Sequence, residues 1–164
     1  DQGCHEWRRL VKFAGELTVP APRETVFAKL CDARFFASCV DGVSNLNEVD
    51  TTHYTAILET RVAYIKFKFN VAVEITDMQP PERVVARAEG APIGMIGRLT
   101  ATSVAELRPQ GDHTLVSYEI DAALTGKLGS IGQPVMKSKA KEMERQFAAN
   151  IKAAFDPVVT EKKA

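Results

Sequence analysis

IKFKFNVAVEI, residues Ile65 to Ile75, alternates without a break. Ile65, Phe67, Phe69, Val71, Val73 and Ile75 fall on one side, and Lys66, Lys68, Asn70, Ala72 and Glu74 on the other. Side chains of an extended chain point to opposite faces at every second residue, so this stretch predicts a strand with one covered face and one wet face. The same period of two recurs at Val11 to Val19, where Val11, Phe13, Leu17 and Val19 oppose Lys12, Glu16 and Thr18. Pro20-Ala21-Pro22 ends that strand, because proline cannot donate to a ladder but suits the start of a helix. Two short helices are expected next, Arg23 to Cys31 with Val26, Phe27 and Leu30, and Ala33 to Cys39 with Phe35 and Phe36.

From Val43 to Leu124 the chain reads as strands separated by turn signals: Asp41-Gly42, Pro80-Pro81, Gly90-Ala91-Pro92-Ile93-Gly94 and Gln110-Gly111-Asp112. The last of these joins Leu99–Leu107 to Thr114–Leu124, and short joins of this kind imply an antiparallel meander. The pattern then changes. Leu128, Gly132, Met136, Ala140, Met143, Phe147, Ile151 and Ala154 step by fours and threes, which is one face of an α-helix. Lys137, Lys141, Glu144, Arg145 and Lys152 lie off that face. Ser130 and Gln133 have capping-box spacing, and Pro134 falls in the first turn or kinks a longer helix. The expected class is α+β: one curved antiparallel sheet wrapped around a long C-terminal helix, with two short helices after the first strand. A single domain over residues 11–156 is expected, preceded by a disordered or foreign N-terminal remnant (residues 1–10) and followed by a flexible C-terminus (residues 157–164).

Composition narrows the function classes. Lys+Arg and Asp+Glu both number 21 in 164 residues, so the basic excess of a nucleic-acid binder is missing. Cys4, Cys31 and Cys39 have no C-x-x-C spacing; core packing in a reducing cytoplasm fits them better than a disulfide or zinc site. His5, His53 and His113 are scattered and form no metal-binding spacing. No G-x-S-x-G or phosphate-cradling glycine loop is present, and no run of 18 apolar residues could span a bilayer. The N-terminal DQGCHEWRRL lacks the apolar core of a secretory signal.

The register of Ile65–Ile75 predicts which residues face the helix. On the preceding strand these are Tyr54, Ala56, Leu58 and Val62. On the later strands they are Val84, Ala86 and Ala88, then Leu99, Ala101, Ser103 and Ala105, then Val116, Tyr118, Ile120 and Ala122. Several are Ala or Ser where a packed core favours Leu, Ile or Val. Either the sheet packs tightly on the helix over these small residues, or the two enclose a hollow. An empty void of roughly 300 Å³ would cost about 7 kcal/mol at ~24 cal/mol per Å³, a large share of a domain's about 5–15 kcal/mol. A hollow would therefore be filled, and a long acyl or isoprenoid chain is a natural occupant at about 0.8 kcal/mol per buried CH₂. Met95, Met136 and Met143 suit an irregular space, although a methionine stripe also suits an ordinary core. An enzyme would need an acid or base in this space; Tyr54, Tyr118 and Glu119 are the nearby candidates, with Glu119 directed outward by the alternation. Lys66 and Lys68, with Lys137, Lys139 and Lys141, form solvated faces or meet anionic lipid or a partner.

Particular stretches carry a resemblance. KLGSIGQPVMKSKAKEMERQF (Lys127–Phe147) is similar to the C-terminal helix signature of the CoxG family, an accessory family of aerobic carbon-monoxide dehydrogenase. KFAGELTVPAPRETVFAKLCD (Lys12–Asp32) resembles its start, and CVDGV (Cys39–Val43), VAVEITDMQPPER (Val71–Arg83) and the Gly90–Gly97 loop resemble its middle. The likeness runs from Val11 to Phe155. It implies a START-like helix-grip fold with a hydrophobic tunnel, no metal and no catalysis of its own. It also implies a menaquinone or similar isoprenoid quinone as bound ligand, and aerobic carbon-monoxide dehydrogenase, a molybdenum hydroxylase, as partner. The expected place is cytoplasmic, peripheral at the inner face of the cell membrane. The ligand-binding set expected on this basis is Tyr54, Ala56, Leu58, Phe67, Phe69, Ala86, Ala88, Met95, Leu99, Ala101, Tyr118, Ile120, Met136, Met143 and Phe147. Family members often continue into a linker and an amphipathic membrane-binding tail, whereas this sequence ends Thr160-Glu161-Lys162-Lys163-Ala164, so a tail is not expected within it. Two other roles stay open: a recruitment or assembly adaptor without ligand delivery, and a lipid-binding or cyclase-like protein of the START superfamily.

Overall fold

A computed structural model describes residues 9–155. The expectations for residues 1–8 and 157–164, with Cys4 and His5, lie outside that range. Strand β1 (Arg9–Val19) is followed by helices α1 (Arg23–Leu30) and α2 (Ala33–Ser38). Strands β2 (Val43–Glu48), β3 (His53–Val62), β4 (Ile65–Gln79), β5 (Arg83–Pro92), β6 (Gly97–Gln110) and β7 (His113–Gly126) come next. A 3₁₀ turn (Lys127–Ser130) then leads into α3 (Gln133–Phe155). The strands form one sheet in the order β1-β7-β6-β5-β4-β3-β2, antiparallel throughout. This is the START-like helix-grip fold.

Several boundaries differ from the sequence reading, each for a local reason. β1 starts at Arg9, which pairs with Leu124, two residues before the expected domain start. Gly90-Ala91-Pro92 is not a turn but the end of β5, and the turn is Ile93–Ile96. Pairing of β5 with β6 stops at Gly90↔Leu99 while pairing with β4 continues to Phe69↔Pro92. The missing N–H of Pro92 therefore costs no ladder bond. Leu128 and Gly132 precede α3 instead of lying on it. The capping box also fails: Ser130 sits in the 3₁₀ turn and its Oγ donates to the Lys127 carbonyl at 2.7 Å. The Gly132 carbonyl instead accepts the first α3 bond from Met136 N, so Pro134 falls harmlessly in the first turn. At the sheet's edge β2 is short, and its register shifts between Ser44 and Asn47 around Asn45, which has φ +54°.

Antiparallel partners share a face, so the register gives rows of inward side chains across the sheet. One row runs Val11, Ala122, Ala101, Ala88, Val73, Tyr54. The next runs Phe13, Ile120, Ser103, Ala86, Ile75. Packing is concentrated to either side of the middle of these rows and takes in their β1 end. The first cluster gathers Leu17, Val19, Val26, Phe27, Leu107, Val116 and Ile151 under α1 and α2. There Asp32 caps α2 by accepting from Arg34 N at 3.0 Å and Phe35 N at 3.4 Å. Phe36 meets Phe147 with ring centroids 5.2 Å apart, Phe35 meets Phe155 at 5.6 Å, and Asn150 Nδ2 donates to the Cys39 carbonyl at 2.9 Å. The second cluster gathers Val11, Val62, Phe67, Phe69, Leu124 and Leu128 at the other end. The closest backbone approaches of α3 are to β1 and to β3, on either side of the central strands.

Candidate functional site

The middle rows form a belt of small side chains between two sealed clusters. Ala86, Ala88, Ala101, Ser103, Ile120 and Ala122 all face α3, yet each is only half-buried. A few residues along the same strands, Leu107 and Val116 are almost wholly buried. Side chains on a covered face keep accessible surface only where protein atoms fail to fill the space above them. The belt therefore keeps accessible surface in the middle of the covered face, where the sheet contributes mostly methyl groups.

Of the fifteen residues expected to bind ligand, the register brings Tyr54, Ala56, Ala86, Ala88, Ala101, Tyr118 and Ile120 to the concave face, while Met143 lies half-buried on α3. Seven others belong to the packing on either side. Phe67 and Phe69 are buried and stack on each other, centroids 5.8 Å apart, with Leu58, Leu99, Met95 and Met136 packed around them. Phe147 packs on the first cluster. These large side chains sit in the packed clusters at the belt's ends, since alternation fixes a residue's face but not its depth along the strand.

Polar groups flank the belt. Burial raises the Tyr54 phenol above its ordinary value, with a smaller contribution from nearby Cys31, so Tyr54 stays a neutral hydroxyl. Burial also raises Cys31 and Cys39, and the Ser38 hydrogen bond to Cys39 only partly opposes this. Both thiols stay protonated, as packing residues do. On the opposite side lies a pair that sequence reasoning missed: the helical stripe leaves Glu144 off the inner face, yet its carboxylate reaches β1. A Cβ added to Gly15 would lie 2.5 Å from Glu144 Oε2 and 2.5 Å from Tyr118 Oη, so the two oxygens are at most twice that distance apart. Only the absence of a side chain at Gly15 lets both enter this corner. A phenol that donates or accepts beside a carboxylate that accepts can hold a polar head, or move a proton to or from one. The spacing Ala140, Glu144, Ile151 was the available signal: Glu144 lies one turn from residues on the inner face.

Two open depressions, of about 450 and 540 Å³, lie elsewhere. Their walls are mostly outward-pointing residues, such as Thr55, Asn70 and Glu89 in one and Glu16, Glu106 and Glu119 in the other. They reflect the twist of the sheet's convex side and contain no converging chemistry. Among the described residues no cluster of His, Cys, Asp or Glu could hold a metal, and no helix is long and apolar enough to cross a membrane.

The CoxG family, described as a carbon monoxide dehydrogenase subunit family, matches residues 15–155. No curated protein matches the chain. Among solved structures, a conserved protein from Geobacillus kaustophilus is similar at 26% identity with a TM-score of 0.80, over 88% of this chain and 95% of that one. The Zhui aromatase/cyclase from Streptomyces sp. R1128 has TM-score 0.64 at 11% identity, over 89% and 93% of the two chains. Ara h 8.0201 has TM-score 0.63 at 10% identity, over 89% and 97%. At those identities the latter two show the fold alone.

Proposed function

The chain belongs to the CoxG family of carbon monoxide dehydrogenase subunits, and from that premise we propose that it carries a menaquinone or similar isoprenoid quinone between the membrane and an aerobic carbon-monoxide dehydrogenase. The observation that carries this reading is the belt of Ala86, Ala88, Ala101, Ser103 and Ala122, small and only half-buried between two packed clusters. A flexible apolar tail fits such a space, and each five-carbon unit buried there contributes about 4 kcal/mol at ~0.8 kcal/mol per CH₂. Tyr54 on one flank and the Tyr118–Glu144 pair on the other supply hydrogen bonds for the oxygens of the ring. The role is binding and presentation; electron transfer belongs to the partner's centres, and the protein works peripherally at the inner face of the membrane.

Organic extraction of the purified protein followed by mass spectrometry tests this reading. A quinone is the expected extract, and Tyr118→Phe is expected to weaken its retention on the order of tenfold, the worth of one buried hydrogen bond. No quinone in the extract and no uptake on reconstitution would remove the carrier reading. Glu144 beside Tyr118 favours one second reading, an acid–base catalyst acting on a carbonyl compound, as in a cyclase. Turnover of such a compound by the chain alone, lost in Glu144→Gln, would establish it.

A further inference from the structure

Large apolar side chains are exposed mainly at one end of the molecule. The β3–β4 turn presents Tyr64, 95% exposed, beside Ile65, 54% exposed. The β5–β6 turn presents Ile93, 49% exposed, and Ile96, 83% exposed. These turns are neighbours, since Ile93 N donates to the Lys68 carbonyl at 2.8 Å, and Lys127 N donates to the Ile96 carbonyl at 3.1 Å. Scattered exposed apolar residues are ordinary on a protein surface, but a contiguous group marks a contact site. The β3–β4 turn sharpens the point. Val62 pairs with Ile65, leaving a two-residue turn in which Ala63 holds φ +55°. Gly, Asn or Asp is the usual solution in such a turn. Ala63 instead accepts a strained backbone, and Tyr64 projects into solvent, where it adds nothing to the core.

Charge surrounds these tips with one sign. Arg61, Lys68 and Lys127 are exposed there, and none of them is in an ion pair among the described residues. The acids nearby are engaged: Glu59 by Lys66 at 3.6 Å, and Glu89 by Arg98 at 3.0 Å and Arg87 at 3.1 Å.

We infer that the β3–β4 and β5–β6 tips dock on an anionic lipid bilayer, with Tyr64, Ile65, Ile93 and Ile96 entering the interfacial zone and Arg61, Lys68 and Lys127 meeting the headgroup phosphates. Aromatic and aliphatic side chains beside basic residues are the composition that interface selects. The inference deepens the carrier reading and rests on it for its purpose, since the cluster of Val62, Phe67, Phe69 and Leu128 that closes the belt lies at this same end. The docking itself requires no quinone.

Co-sedimentation of the full chain with vesicles of phosphatidylcholine, with and without phosphatidylglycerol, tests it. The protein is expected to sediment with the anionic vesicles only, and added salt is expected to release it. Tyr64→Ser combined with Ile96→Ser, and separately Lys68→Glu combined with Lys127→Glu, should each lower partition on the order of tenfold. The control pair Val49→Ser and Met78→Ser, exposed at the other end, should leave partition unchanged; circular dichroism confirms that each variant is folded. The proposal is overturned if wild type ignores anionic vesicles, if the tip variants sediment as wild type does, or if the control loses binding equally. Retained vesicle binding with lost capture of the dehydrogenase would overturn it in favour of a protein dock. Quinone content, measured on the same preparations, reports the carrier reading separately. Vesicle binding without quinone would defeat the carrier alone, and quinone without vesicle binding would defeat the docking alone.

Discussion

The cluster under α1 and α2 and the belt at mid-sheet draw on the same strands and the same face, yet one is solid and the other is not. On β6, Leu107 is buried while Ser103 and Ala101, four and six residues back, are half-exposed. On β7, Val116 is buried while Ile120 and Ala122 are half-exposed. The strands run on through both regions; what differs is the packing above them, dense over Leu107 and Val116 and sparse over Ala101, Ser103, Ile120 and Ala122. Large residues, aromatic pairs and the Asn150 hydrogen bond to the Cys39 carbonyl fix α3 at its C-terminal half. Ala86, Ala88, Ala101, Ser103 and Ala122 leave the sheet's centre only half-buried. The fold concentrates its packing at the ends and leaves the middle of the covered face lightly packed.

Substitutions at the two regions should respond in opposite ways, and the largest effect belongs to the solid one. Ile151, with no exposed surface, is expected to cost about 2–5 kcal/mol when truncated to Ala, read as a lower midpoint in denaturant unfolding. A cost similar to that of trimming the belt would erase the distinction. Next is Thr114→Val. The buried Thr114 Oγ1 donates to the Ala21 carbonyl at 2.7 Å, and leaving that carbonyl unsatisfied is expected to cost about 1–3 kcal/mol. Ala101→Phe is the sharpest comparison. In a filled core an added ring costs about 1–3 kcal/mol; in an unfilled belt the expected change is under about 1 kcal/mol, with loss of the extractable ligand. A large destabilisation with nothing bound would show the belt to be packed after all.

The smallest effect lies far from both regions. Asp50 Oδ1 accepts from Thr52 N at 2.9 Å and lies 2.9 Å from His53 Nδ1, while His53 Nε2 is 3.5 Å from Glu74. The Thr52 backbone bond first, then the His53 side chain, hold the Asp50 carboxyl down at about 2. The Asp50 hydrogen bond chiefly raises His53 above its ordinary 6.5, with Glu74 adding to it. The raised imidazole stabilises the fold below its unfolded value, and that contribution is lost as pH climbs through the folded one. The lowered carboxylate stabilises above its unfolded value and is lost as pH falls toward about 2. His53 should therefore titrate above 6.5 by NMR, and His53→Gln should flatten the alkaline loss while leaving the belt's ligand in place. An ordinary His53 titration would refute the triad.

Much of this contrast was legible in the residues, and the limits were physical. Strict alternation at Ile65–Ile75 and Val11–Val19 defined the inward face, and the observed pairing of Tyr54, Ala88, Ala101 and Ala122 follows that register. Depth was not legible: Phe67 and Ala101 share a face, but only tertiary packing decides which of them closes the space and which lines it. Glu144 was missed because a charged residue flanking a helical stripe is ordinarily solvated, and its approach to Gly15 depends on where α3 crosses β1. The supposed cap at Ser130 failed because a 3₁₀ turn displaced the helix start by two residues.

The shifted register around Asn45 has its effect outside the pocket altogether. A sheet with two free borders could be lengthened by a second copy, strand upon strand, until it grew into a fibre. The six-residue β2 with its kinked backbone presents no straight run of donors and acceptors for such growth. On the other border Lys12 places a charge among β1's exposed groups. Growth by strand upon strand is thereby discouraged at both borders of the sheet.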